Sequence, residues 1–196
     1  MHNMKRKGEK MTIKIFIDQG HNPSLINAGA QVDGFLEANV TYEVGNFLAQ
    51  LLNNDPRFEA RVSRNNPDVV LGTTIRESLQ ERVQQANEWN ADYFLSIHAN
   101  ANDNENIQGA EVYLYANDAK QERFAQDVFD GMNDVTAIKD NGVRINPSLY
   151  VLRNTRMPAM LIELGYLTNA EDLQKLMNEP MAFSQGIYVG INTFFR

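Results

Sequence analysis

Four polar residues, His21, Glu37, His98 and Glu163, interrupt or directly follow apolar stretches of this sequence. Two histidines and a glutamate are a common ligand set of catalytic zinc sites, in which three protein ligands leave a fourth position for water. The chain holds one further histidine, His2, close to its start. The H-E-x-x-H spacing of many zinc enzymes is absent, so a metal centre would have to be assembled from residues that are far apart in sequence.

Each of these residues also has a purely structural explanation. A histidine in a loop is commonly just solvated, or hydrogen-bonded at the end of a strand. An acid in the first turn of a helix, such as Glu37, interacts favourably with the helix dipole. Glu163 is the hardest to explain in this way, because a carboxylate inside an apolar strand is costly unless a cation or a donor meets it. The arginines that could pair with it are Arg64, Arg82, Arg153 and Arg156.

Short apolar runs alternate with amphipathic stretches along the chain. The apolar runs predict strands over residues 13–17, 58–64, 92–97, 109–117 and 159–167. Apolar residues at helical spacing predict helices over residues 37–54, 75–90 and 124–132, and two closing helices that begin near Asn169 and Pro180. This alternation predicts a single α/β domain with a mostly parallel central sheet and helices on both faces.

The predicted strands bring two candidate residues to one edge of the sheet. His21 follows the first predicted strand and His98 follows the third. Ligands of open α/β sheets bind at the edge where parallel strands end. We therefore expect the two histidines to lie close together, with the polar stretch of residues 100–109 forming a loop near His98.

The bulk composition excludes several functions. With 196 residues, 43% of them hydrophobic, the chain is long enough for one domain with a substantial core. Its net charge of −7 argues against nucleic acids and anionic membrane surfaces as partners. The chain has no cysteine, which rules out disulfides, thiolate catalysis and cysteine-ligated zinc.

The first residues differ in character from the rest of the chain. Residues 1–11 are basic and are predicted to form a disordered tail, so that the folded domain spans residues 12–196. The apolar stretch after the basic residues is short and contains Lys14, so no signal peptide is recognisable and the export route stays open. No apolar run is long enough for a transmembrane segment.

The sequence contains five motifs in the order "DQGHN", "GAQVDGFLEANV", "LQERVQQANEWNADYFLSIHANA", "GAEVYLY" and "YVLRNTRMPAMLIELGYLTNAEDLQKL". Together they resemble the zinc-dependent N-acetylmuramoyl-L-alanine amidases of the Amidase_3 type, and the likeness runs from about Ile13 to the C-terminus. The resemblance implies a single α/β domain around a twisted sheet, acting at the bacterial cell wall with peptidoglycan as its substrate. Residues 12–196 would then be an amidase catalytic domain.

The roles that this family implies fall on the residues described above. His21, Glu37 and His98 would be the ligands of Zn²⁺, and Glu163 would be the catalytic acid/base. The implied reaction cleaves the amide bond between the lactyl group of N-acetylmuramic acid and L-alanine of the stem peptide.

The surroundings of the implied site add further expectations. Asp18 or a backbone carbonyl could orient a ligand imidazole, whereas Arg82 and Asn87 are interpreted as structural residues. The family often has a second glycine after the first zinc histidine, where this chain has Asn22 and Pro23, and this difference concerns the fit of the substrate rather than the metal. We see no long helical insertion that would block the zinc, so constitutive activity is expected and any activator stays unknown.

Two other functions stay open at this level. The zinc amidase could act on soluble muropeptides instead of intact peptidoglycan, or the chain could be a peptidoglycan-binding module without catalysis. The presence of all four candidate residues argues against the loss of catalysis.

Overall fold

The computed structural model of the protein describes residues 12–24 and 26–196, and the predicted tail of residues 1–11 lies outside these ranges. The strands of the described part are β1 (Ile13–Gln19), β2 (Gln31–Val32), β3 (Phe35–Leu36), β4 (Phe58–Val62), β5 (Tyr93–Asn100), β6 (Ala110–Leu114), β7 (Asp140–Ile145) and β8 (Ala159–Tyr166). The helices are α1 (Glu37–Asn53), α2 (Ile75–Trp89), α3 (Ala119–Thr136), α4 (Tyr150–Asn154), α5 (Ala170–Asn178) and α6 (Pro180–Phe194).

The central sheet is mostly parallel, as the sequence predicts. Its six strands follow the order β4-β1-β5-β8-β6-β7, and β2 pairs with β3 in a separate short hairpin. The pairs β1/β4, β1/β5, β5/β8 and β6/β7 are parallel, whereas β6 runs antiparallel to β8. The predicted α/β fold with a single domain is therefore confirmed.

Alternate residues of the strands enter two separate cores. Side chains such as Ile17 and Ile162 face one core, which is completed by α1, α3, α5 and α6. Side chains such as Phe16, Phe94 and Leu161 face the other core, which is completed by α2 and α4. This period-two alternation places helices on both faces of the sheet. The face that carries α2 and α4 also carries His98 and Glu163, which share the alternation of Phe94 along β5 and of Leu161 along β8.

The helices α3 and α6 approach each other at glycines. A Cβ atom on Gly131 would lie against the backbone of α6, and one on Gly190 would lie against the backbone of α3 at Val128. The two backbones are thus in direct contact, and this contact holds α6 against the sheet next to α1.

Several predicted helix ends are confirmed by their hydrogen bonds. Asn90 ends α2 in the left-handed conformation, with φ of 54°. The Asn169 side chain caps α5 by accepting hydrogen bonds from the backbone N–H groups of Glu171 and Asp172, and Pro180 opens α6. Among the described residues, no helix combines the length and the apolar character that a bilayer span requires.

The sequence patterns do not predict four of the observed elements. The β2/β3 hairpin and α4 are too short to show a periodic pattern. The edge strand β7 has the sequence "DNGVRI", which is polar and half-exposed because only one neighbour strand covers it. In addition, β5 continues to Asn100, so that His98 lies inside the strand and does not follow it.

Candidate metal centre

Three different elements position the two histidines and the first glutamate. His21 lies two residues beyond β1 and has the left-handed φ of 65°, which turns the chain sharply away from the sheet. Glu37 is the first residue of α1. His98 lies near the end of β5, the strand next to β1. The structure brings these three residues together, and the closeness of the two histidines is what the strand order predicts.

The nearest side-chain atoms of the three residues form an equilateral triangle. His21 Nε2 lies 3.1 Å from Glu37 Oε1, and His98 Nδ1 lies 3.1 Å from each of these two atoms. The centre of such a triangle is about 1.8 Å from each corner, so a single ion can lie at the roughly 2.0–2.1 Å that zinc prefers from all three atoms. Two imidazole nitrogens and a carboxylate oxygen are also ligand types that zinc accepts, and the three side chains could therefore hold a metal ion.

Backbone groups fix the orientation of His21 and Glu37. His21 Nδ1 lies 3.1 Å from the carbonyl oxygen of Asn27, which accepts a hydrogen bond when Nδ1 carries the proton and leaves the Nε2 lone pair facing the triangle. Glu37 accepts hydrogen bonds from the N–H groups of Ala30 at Oε2 and Ala99 at Oε1. Of the two orienting groups considered from the sequence, the backbone carbonyl is the one that contacts a candidate ligand.

The carboxyl group of Glu37 is ionised at neutral pH. Burial works to raise its pKa, but the hydrogen bonds and charges of His21 and His98 outweigh burial and hold the pKa well below its usual range. A carboxylate oxygen and imidazole nitrogens thus converge on one point. Such a convergence of electron pairs is stable when a proton or a cation lies between them.

Two glycines provide the space that the candidate ligands occupy. A Cβ atom on Gly20 would lie 2.5 Å from His98 Cε1, and a Cβ atom on Gly29 would lie 2.6 Å from both Glu37 Oε2 and His21 Cγ. Gly29 also has φ of 74°, a conformation that residues with a side chain rarely adopt. Any larger residue at either position would displace a candidate ligand.

A buried ion pair holds the turn that carries His21. Arg82 on α2 donates from Nη1 to Asp18 Oδ1 at 2.7 Å and from Nη2 to the His21 carbonyl at 2.5 Å. Asp18 also accepts from the Ser96 hydroxyl at 2.8 Å. Burial works to raise the pKa of Asp18, but Arg82 and further groups lower it below the usual range. Arg82 is therefore structural, as interpreted from the sequence, because it fixes the turn of a candidate ligand.

Asn87 is structural as well. Its side chain donates to the Asn154 carbonyl and accepts from the backbone N–H of Arg156. These contacts join α2 to the end of α4, away from the three candidate ligands.

Glu163 is the direct neighbour of His98 in the sheet. The two residues pair across the parallel strands β5 and β8, so their side chains lie on the same face, one strand spacing or about 4.8 Å apart at the backbone. Its Oε2 atom is shielded from solvent and has no hydrogen-bond partner within the described residues. Burial, and after it the negative charges of Glu37 and Glu111, raises the pKa of Glu163 to about 8.

Two of the arginines considered as partners of Glu163 bind other groups. Arg82 pairs with Asp18, and Arg64 donates to the Ala38 carbonyl at 2.6 Å. In the described part of the chain, Glu163 forms no ion pair with any arginine. The carboxylate inside β8 is therefore not explained by a structural ion pair.

Comparison with known proteins identifies the family of this chain. The family model described as N-acetylmuramoyl-L-alanine amidase matches residues 15–193. The chain belongs to this amidase family. It is 35% identical over 181 residues to the N-acetylmuramoyl-L-alanine amidase CwlM of Bacillus licheniformis, which covers 91% of this chain and 65% of CwlM.

Further members of the amidase family agree in sequence and in fold. The N-acetylmuramoyl-L-alanine amidase LytC of Bacillus subtilis is 33% identical over 186 residues, covering 93% of this chain and 35% of LytC. The crystal structure of N-acetylmuramoyl-L-alanine amidase from Clostridium difficile 630 is similar with a TM-score of 0.82 at 28% identity, covering 94% of this chain and 97% of that one. The chain spans about two thirds of the length of CwlM and about one third of the length of LytC.

The sequence did not reveal every residue that shapes the candidate site of this amidase-family chain. Gly20, Gly29 and the Asn27 carbonyl were missed: the two glycines leave room for candidate ligands, and the carbonyl contacts His21. For Gly20, the one available signal was its position directly before His21. The roles of Gly29 and Asn27 depend on how the chain folds back after β1, which no local pattern encodes.

Proposed function

We propose that this chain is a zinc-dependent N-acetylmuramoyl-L-alanine amidase that acts on peptidoglycan at the bacterial cell wall. It would hydrolyse the amide bond between the lactyl group of N-acetylmuramic acid and L-alanine of the stem peptide. The observation that carries the proposal is the 3.1 Å triangle of His21, Glu37 and His98 beside the unpaired carboxylate of Glu163. The names of the amidase relatives support the substrate.

In the proposed mechanism, His21, Glu37 and His98 hold the metal, and Glu163 moves the protons. A zinc ion supplies Lewis-acid chemistry when bound, because it lowers the pKa of water and polarises an amide carbonyl. A carboxylate oxygen of Glu163 accepts a proton from the attacking water as general base. The same oxygen then donates this proton to the nitrogen of L-alanine as the C–N bond breaks, so that the amine leaves in neutral form.

The surroundings of Glu163 suit both halves of this proton transfer. Since no described cation or donor pairs with the carboxylate, its electron pairs are free to accept a proton. Burial raises the pKa of Glu163, which makes the carboxylate a stronger base than an exposed glutamate. His98 is its neighbour in the sheet, and this register keeps the base next to the proposed metal.

Digestion of purified peptidoglycan tests the proposal. We expect the zinc-loaded chain to release stem peptides with a new amino-terminal L-alanine and to create no new reducing sugar ends. The Glu163→Gln variant should be at least about 100-fold slower, in line with the loss of a general base. The matched control is Glu59→Gln, because Glu59 lies on the edge strand β4, three strands from β8, with a side chain that is 45% exposed. It pairs with Lys14, near the opposite end of β1 from His21.

The products separate this proposal from its alternatives. Cleavage of soluble muropeptides but not of intact sacculi would indicate the narrower substrate. Binding to sacculi without any amide cleavage, by a zinc-loaded and folded chain, would indicate a binding module and contradict the proposed mechanism.

A further inference from the structure

A second polar cluster lies next to Glu163 on the same face of the sheet. Glu111 on β6 is directly opposite Glu163 in the antiparallel pair β6/β8. Glu111 is only 3% exposed and accepts hydrogen bonds from the hydroxyl groups of Tyr113 and Tyr166, the latter at 3.2 Å. Arg144 on β7 contacts Glu111 Oε1 through Nη2 at 3.1 Å.

The two tyrosines are permanent donors to Glu111. Burial, together with the neighbouring Glu111, raises the pKa of Tyr113 and raises the pKa of Tyr166 to about 12. Both phenols therefore keep their protons at neutral pH, and each oxygen of Glu111 has a phenol donor without Arg144. The buried carboxylate of Glu111 therefore has hydrogen-bond donors even if Arg144 binds another group.

Arg144 has unused binding capacity at the surface of this cluster. Its side chain is 52% exposed and lies on the solvent side of the buried Glu111. Within residues 12–24 and 26–196, the Nη2–Oε1 contact is the one ion pair or side-chain hydrogen bond that it makes. A guanidinium group can donate two parallel hydrogen bonds to a carboxylate, and most of the Arg144 donors are free for such a contact.

We propose that Arg144 binds the free carboxylate of the second residue of the stem peptide and so selects stems in which this group is not amidated. The inference rests on the proposed amidase function. In peptidoglycan stems that carry glutamate joined through its side chain at the second position, the α-carboxylate is free unless it is amidated. Arg144 would then be a specificity-determining residue next to the reaction centre.

The spacing of the strands agrees with this assignment. Two strand spacings of about 4.8 Å separate β8 from β7, and Arg144 pairs with Tyr113, two residues along β6 from Glu111. Arg144 therefore originates roughly 10 Å across the sheet and about 7 Å along the strands from Glu163, and its side chain reaches back to Glu111. An extended peptide advances about 3.3–3.6 Å per residue, so the second residue lies about 7 Å beyond the lactyl end of the stem. A stem that lies across β6 from Glu163 would place this carboxylate at the Arg144 guanidinium.

Negative charge lies close to this place. Glu111 is a buried carboxylate directly opposite Glu163, and the chain has a net charge of −7. A cation that faces the carboxylate of an anionic stem would offset this repulsion. The contact with Glu111 holds the Arg144 guanidinium beside this row of carboxyl groups.

Affinities for two matched ligands test the proposal. The probes are N-acetylmuramoyl-L-alanyl-D-isoglutamate and its isoglutamine counterpart, which differ only in the second-residue carboxylate. Dissociation constants are measured by calorimetry on the full zinc-loaded chain with Glu163→Gln, so that neither ligand is consumed. We expect the acid to bind about tenfold more tightly than the amide, as one charge-assisted contact allows.

Three substitutions in this background isolate the role of Arg144. Arg144→Gln should bring the affinity ratio to about one, whereas Arg144→Lys, which keeps the charge but loses the planar fork, should retain part of it. Arg123→Gln is the matched control, because Arg123 is 68% exposed on α3 against the opposite face of the sheet and should leave the ratio unchanged.

Several outcomes overturn the assignment. Equal affinities for the two ligands, no binding of either ligand, or a ratio that survives Arg144→Gln each contradict it. A general loosening of the site would weaken the binding of both ligands alike and would leave the ratio of their affinities unchanged. If the unsubstituted chain still cleaves the lactyl amide bond, only the role of Arg144 fails, whereas the absence of such cleavage counts against the proposed function itself.

Discussion

Glu163 makes the stability of the metal-free protein depend on pH in a predictable direction. Burial, followed by the charges of Glu37 and Glu111, raises its pKa from the ordinary 4.5 to about 8. The folded chain thus holds this proton more tightly than the unfolded chain does. The resulting stabilisation is fully present below about pH 4.5 and is lost as the pH rises through about 8. At about 1.4 kcal/mol per unit, the loss is on the order of 3–5 kcal/mol.

Glu163→Gln removes this titration without changing the shape of the side chain. We expect the metal-free variant and the metal-free parent to have similar free energies of unfolding at pH 5. At pH 9 the metal-free variant should be more stable by several kcal/mol, whereas the zinc-loaded variant should be at least about 100-fold slower as an amidase. Urea unfolding in the presence of a chelator, at one-unit steps from pH 5 to pH 9, measures the difference. Glu59→Gln serves as the control and should show no such trend.

Zinc should reduce this difference, because a positive charge beside Glu163 stabilises its ionised form. A difference that stays constant from pH 5 to pH 9 in the metal-free protein would refute the reasoning. It would mean that the carboxylate is hydrated or paired, and that the unpartnered Oε2 atom does not describe the protein in solution.

Three further substitutions probe the support of the site and of the fold. Gly20→Ala should displace the His98 ring and lower zinc affinity by about 10–100-fold in a competition assay with an otherwise folded chain, and unchanged affinity would contradict the close contact. Arg82→Gln should cost about 3–5 kcal/mol in urea unfolding, because Asp18 is left buried without its cation, and a loss below about 1 kcal/mol would show that Asp18 finds another partner. Gly190→Ala should force α3 and α6 apart and cost about 1–3 kcal/mol or more, and an unchanged melting temperature would speak against their backbone contact.

The parts of the fold with long periodic patterns were predictable from the sequence. The stripe of Val40, Val44 and Leu48 gave α1, and all three residues are fully or almost fully buried against the sheet. Caps such as Asn169 were predictable because a side chain that accepts from nearby backbone N–H groups acts locally. The edge strand β7 was not predictable, because its sequence "DNGVRI" lacks the apolar alternation that predicts the other edge strand, β4.

The residue types of the candidate site were predictable from the sequence, but the contacts that hold these residues in place were not. Glu163 stood out because burying a carboxylate in an apolar strand is costly without a partner. In the described part of the structure, its Oε2 atom has no hydrogen-bond partner. The meeting of His21 and His98 followed from parallel strand order, although β5 continues past His98. The contacts of Gly29 and the hydrogen bond of Arg82 to the His21 carbonyl come from distant parts of the chain, so no sequence pattern shows them.

In the proposed function, amide cleavage depends on a zinc ion bound by His21, Glu37 and His98. The most direct test measures zinc content and stem-peptide release from purified peptidoglycan before chelation, after chelation and after zinc is restored. We predict about one zinc per chain, in line with a single three-ligand site. Release should stop on chelation and return with zinc, and His98→Ala should neither retain zinc nor release peptides. Undiminished release by a chain shown to be metal-free would contradict the account.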